Sequence, residues 1–102
     1  MREYRVIIED DVEDYFINLL QFVAGNSTLD FALRYVKSIR QEIERLSYLA
    51  PMLPPSTYGI ARLYHPEAKT TTIANRKLTV IFHIQGDYVI VDRIMPSCMI
   101  TY

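Results

Sequence analysis

The chain has 102 residues, half of them hydrophobic and 23% charged, with 11 basic and 12 acidic side chains. That balance is ordinary for a globular chain and excludes disordered, collagen-like and low-complexity readings. A formal net charge of −1 argues against a chain that lives on phosphate backbones, and a lone Cys98 excludes an internal disulfide framework.

The length suits one domain, residues 1–102. The single thiol fits a reducing, cytoplasmic setting. No run reaches the roughly 18 apolar residues that a membrane span needs, and no secretory leader is expected at the charged start Met1 to Arg5. Charge is unevenly spread. Residues 1–59 carry six basic and nine acidic side chains, and residues 60–102 carry five and three. An anionic partner would therefore meet the second half first.

In chain order, Glu3 to Ile8 ends in β-branched residues and reads as a strand buried on at least one face. Glu9-Asp10-Asp11 marks a helix start, where carboxylates accept free N–H groups and face the positive end of the helix dipole. Val12, Tyr15, Phe16, Leu19, Leu20 and Val23 form one apolar stripe, and Gly25-Asn26 is expected to end that helix in left-handed backbone. Ser27 to Asp30 has the form of a partial capping box. Behind it Ala32, Val36, Ile39, Ile43 and Leu46 recur at spacings of 4, 3, 4 and 3, giving a long second helix over roughly Thr28 to Tyr48. The two helices form an antiparallel hairpin.

Pro51 to Pro66 holds four of the five prolines and reads as a surface loop with a short extended piece at Ile60 to Tyr64. Three strand-like runs follow: Lys69 to Ala74, Lys77 to Ile84 and Tyr88 to Met95. Asn75-Arg76 separates the first two, and Gln85-Gly86-Asp87 separates the second from the third. The last two runs alternate little and read as central strands covered on both faces. The order β-α-α-β-β-β gives an α+β fold, a helical hairpin packed on a small, mostly antiparallel sheet.

Chemistry-bearing residues are few. His65, His83 and Cys98 lack the paired spacings of a zinc site, and Gly25, Gly59 and Gly86 are too far apart for a phosphate loop. No cofactor or metal is expected. Cys98 has no companion acid and base at a recognisable spacing. His83 sits near a strand end and could hold a proton, but no partner is evident. The cations on or beside strands are Arg62, Arg76, Lys77 and Arg93. Arg93 interrupts an apolar strand, so it needs an acceptor or serves a cationic surface. Arg76-Lys77 falls in a turn.

Several segments together resemble the RelE/ParE superfamily of toxins from bacterial type II toxin–antitoxin modules, over nearly the whole chain. Tyr4-Arg5-Val6-Ile7-Ile8 followed by Asp11-Val12-Glu13-Asp14 looks like that family's first strand and acidic helix start. Ala32-Leu33-Arg34-Tyr35-Val36 through Leu46, then Pro51, looks like its second helix. Lys77 to Ile84, Gly86-Asp87 and Val89 to Met95 look like its closing hairpin. The long helical hairpin favours the ParE branch.

The resemblance implies a plasmid-stabilisation toxin that inhibits growth by binding a protein target such as DNA gyrase, and that a cognate antitoxin neutralises. The assembly implied is a toxin–antitoxin hetero-oligomer or a homodimer, away from any membrane. The alternatives are a RelE-like, ribosome-dependent mRNA endoribonuclease and a non-toxic binding relative. A ribonuclease would draw its catalytic groups from Arg93, Lys77, Arg76 and His83, with Tyr102 a further candidate. Thr79 stands where the family commonly has an arginine ahead of the strand's aromatic, here Phe82. Met95 to Met99 fills a segment where a histidine or arginine often stands. Arg93 matches the family position, and Lys77 matches it more weakly.

Overall fold

The computed structural model describes residues 3–100. Strand β1 (Arg5–Ile8) leads into helices α1 (Asp10–Asn26) and α2 (Leu29–Glu44), then short helical turns α3 (Leu46–Leu49) and α4 (Gly59–Arg62). Strands β2 (Lys69–Ile73), β3 (Leu78–Gln85) and β4 (Tyr88–Pro96) complete the sheet, in the order β1-β4-β3-β2. β2, β3 and β4 pair antiparallel, while β1 lies parallel to β4. The arrangement is α+β, as the order of elements implied.

The helical hairpin covers one sheet face. Val12 and Phe16 of α1, with Val36, Ile39 and Ile43 of α2, meet Leu78, Val80 and Phe82 of β3 and Val89, Val91 and Ile94 of β4. Burying a side chain such as Phe16 or Phe82 contributes roughly 1.5–3 kcal/mol. Arg40 joins the helices. Its guanidinium forks onto the Glu13 carboxylate, 3.0 Å on one arm, and lies 4.4 Å from the Phe16 ring centre.

The helix ends differ from expectation in small, explicable ways. Glu9 caps α1 without a side-chain hydrogen bond; Asp10 and Asp11 face the dipole, while Glu13, also in the first turn, pairs with Arg40. α1 continues through Gly25 and Asn26 without left-handed backbone. The Asn26 side chain instead donates back to the Phe22 carbonyl at 2.9 Å. Thr28, not Ser27, caps α2, accepting the Phe31 N–H at 3.1 Å. The long second helix is interrupted at Arg45 and resumes as α3. Pro51 has no N–H to offer the Ser47 carbonyl one turn back. The Tyr4 N–H takes that carbonyl at 2.8 Å and ties the entry to β1 to this corner.

The proline-rich segment is more than a surface loop. It lies on the second sheet face, where Ala61 and Ala68 are buried against Ile81 and Met95. The expected extended piece at Ile60 to Tyr64 is a helical turn, closed by Ala61 N–H to the Tyr58 carbonyl and Leu63 N–H to the Ile60 carbonyl. β3 is therefore covered on both faces over Leu78 to His83. β4 is not: Tyr88 and Arg93 are exposed, and Ile90 and Asp92 are half-buried.

The two hairpin turns differ in strain. Gly86 takes φ +61° in the β3–β4 turn, which glycine adopts freely. In the β2–β3 turn, Ala74, Asn75 and Arg76 take φ +52°, +59° and +69°. Left-handed backbone costs a non-glycine residue about 1–2 kcal/mol, least for Asn. The turn is held from outside: the Glu42 carboxylate accepts the Ala74 N–H at 3.1 Å, and the Ser97 N–H donates to the Lys77 carbonyl at 2.9 Å.

Candidate functional site

A break in the β3–β4 ladder creates the most developed polar cluster among the described residues. Phe82 faces Val91 and Ile81 faces Arg93, so Asp92 is an extra residue without a cross-strand partner. This is a β-bulge. It explains how Val91 and Ile94, three positions apart, both reach the helix-facing core. It also aims the Asp92 carboxylate at His83, whose Nδ1 lies 2.7 Å from Asp92 Oδ2. The His83 Nε2 is 3.4 Å from Gln85 Oε1, and His65 stacks on the His83 ring at 4.1 Å, inclined by 4°. The Nδ1 of His65 accepts the Glu67 N–H at 3.0 Å, which places the proton of a neutral His65 ring on Nε2.

His83 thus has the acid partner that its strand position left unnamed. A carboxylate–imidazole pair can orient a proton carrier. Here His65 covers one ring face and Gln85 meets the second nitrogen, so the arrangement fastens the proline-rich segment to the sheet. The sequence shows His65 only as a histidine without metal-ligand spacing; its place on His83 comes from a loop that folds back. The only sequence signal for the bulge is Asp92-Arg93 inserted between apolar Val91 and Ile94.

Arg93 is exposed and lines a hollow of ≈ 300 Å³ with Asp11, Asp14, Tyr15, Asn18 and Ile94. Burial, and then repulsion from Tyr35, push the Tyr15 phenol above its ordinary pKa, so it stays a proton donor at neutral pH. Arg76 and Lys77 are exposed at the β2–β3 turn. Lys77 stands four residues from Ile81, the partner of Arg93, or roughly 13 Å along the strand. The structure does not gather Arg93, Lys77, Arg76 and His83 around one point. Tyr102 lies outside the described residues. Thr79 is buried, 2.8 Å from the Ser97 hydroxyl. Among the described residues, no three His, Cys, Asp or Glu side chains are grouped to hold a metal ion, and no helix is long and apolar enough to cross a membrane.

The end of the helical hairpin is apolar and open. Ile17, Phe22, Leu29, Phe31 and Leu33 are each about half exposed or more. Exposed apolar side chains on a small domain are candidates for contact with a partner.

No protein-family model matches the sequence, and neither does any curated protein. The fold does match a solved structure. A chain of "Chromosomal ParDE TA system from P. aeruginosa" superposes with a TM-score of 0.77 at 14% identity, covering 92% of this chain and 96% of that one. The chain shares the fold of that ParDE-system chain.

Proposed function

We propose that this chain is the toxin of a type II toxin–antitoxin module, acting by binding a protein target such as DNA gyrase and neutralised by a cognate antitoxin. The observation that carries the reading is the fold likeness to a chain of a ParDE system across 92% of the sequence. The dispersed cations support a binding mode of action over a ribonuclease. Acid–base cleavage of RNA needs groups converging on one phosphate, whereas Lys77 and Arg93 stand far apart along the sheet. The open apolar end of the helical hairpin supports a partner that lays an apolar segment there.

The test is induction of the chain in a bacterial host with and without the small open reading frame beside its gene. Growth should continue in the first case and stop in the second, with messenger RNA intact throughout. Normal growth at good soluble yield would refute the toxin reading. Ribosome-dependent mRNA cleavage, lost in Arg93→Ala, would establish the ribonuclease instead.

A further inference from the structure

We propose that the β2–β3 turn is a built docking point for an acidic segment of a partner protein, whose carboxylates Arg76 and Lys77 receive. The turn is unusual in being both strained and fixed. Three consecutive non-glycine residues hold left-handed backbone, and only Asn75 is of a type that tolerates it well. Three hydrogen bonds secure the turn: Glu42 from α2 on the Ala74 N–H, the Lys77 N–H on the Ala74 carbonyl, and the Ser97 N–H on the Lys77 carbonyl. Strain retained at an over-determined position points to a use for that position.

What the turn presents is charge. Arg76 and Lys77 are exposed, and no described carboxylate lies within ion-pair distance of either. Elsewhere among the described residues, Arg40 pairs with Glu13 and Arg34 with Asp30, both within the helices. Two cations on a fixed backbone form a preorganised receptor for carboxylates, since less ordering remains to be done on binding. A nucleic acid fits less well. It would need a continuous cationic track, but the next strand cation, Arg93, lies beside Asp11 and Asp14, and the whole chain carries −1.

The proposal stands on the turn alone and survives failure of the toxin reading. The full chain, labelled with nitrogen-15, is titrated at low salt with a peptide of alternating Glu and Ser, with a Gln–Ser peptide of equal length, and with a short single-stranded RNA. The acidic peptide should shift the amides of residues 74–78 and 97, and the Gln–Ser peptide should not.

Arg76→Gly suits the left-handed position while removing the charge. It should raise Tm and weaken the acidic peptide about two- to fivefold, the range expected of an exposed charge pair. Lys77→Gln should weaken it similarly. Arg62→Gln, an exposed cation elsewhere, should leave it unchanged. Equal binding of the two peptides, unchanged binding in Arg76→Gly and Lys77→Gln, equal weakening in Arg62→Gln, or tighter binding of the RNA would each overturn the proposal.

Discussion

Arg40 stands where its charge and its flat shape are both used. Its fork onto Glu13 holds that carboxyl below the usual carboxylate range, chiefly through the hydrogen bond and then through the guanidinium charge. Glu13 has a lowered pKa in the folded state, so its contribution is present above about pH 4.5 and fades as pH falls through the lower folded value. Both side chains are 41% exposed, and solvent screening limits the pair to roughly 0.5–1 kcal/mol. Wild type should therefore exceed Glu13→Gln by that amount in urea unfolding at pH 7, and the two should converge in strong acid. A gap that persists unchanged into strong acid would show that the pair is not its origin.

Asp92 makes a second case at the same scale. Asp92→Ala leaves a nearly buried His83 nitrogen without its partner, which costs about 1–3 kcal/mol. Asp92→Asn keeps an acceptor and should cost less. Equal losses in chemical denaturation would mean that the charge, and not the hydrogen bond, carries the contact.

At the scale of elements, the helical hairpin has two apolar populations with different uses. Phe16 is fully buried against the sheet, so Phe16→Ala should cost about 3–5 kcal/mol. Phe22 is 69% exposed, so Phe22→Ala should change stability by less than about 0.5 kcal/mol. Thermal unfolding of the two variants checks this directly. If the hairpin end receives the antitoxin, Phe22→Ala should also weaken that complex without weakening the fold.

These elements were legible in the sequence to different degrees. The stripes Val12 to Val23 and Ala32 to Leu46 announced the helices because helical periodicity is a local property. The cap falls on Thr28 and not Ser27 because adjacent hydroxyls are interchangeable in a capping pattern, and it is Thr28 Oγ1 that reaches the Phe31 N–H. The bulge at Asp92 was hidden because a strand pattern carries no record of its partner's register. The proline-rich segment reads as a surface loop in the sequence because its burial depends on Ala61 and Ala68, small residues whose value lies in what approaches them. The His65–His83 stack followed from that same fold-back and could not be seen from either residue alone.

For the whole molecule, the near-neutral charge now has a spatial meaning. Five of the twelve acids cluster at the start of α1, over Glu9 to Asp14, while Arg76, Lys77 and Arg93 are spread along the sheet, with Arg93 beside Asp11 and Asp14. Among the described residues the strand cations form no continuous track for a nucleic acid, and exposed apolar side chains line the helical hairpin. The proposed function accordingly takes a protein as its target. The most direct measurement is DNA supercoiling by gyrase in the presence of the purified chain. Supercoiling should be inhibited, added cognate antitoxin should restore it, and RNA in the same mixture should stay intact. Undiminished supercoiling by a folded sample that cleaves mRNA on ribosomes would contradict this reading.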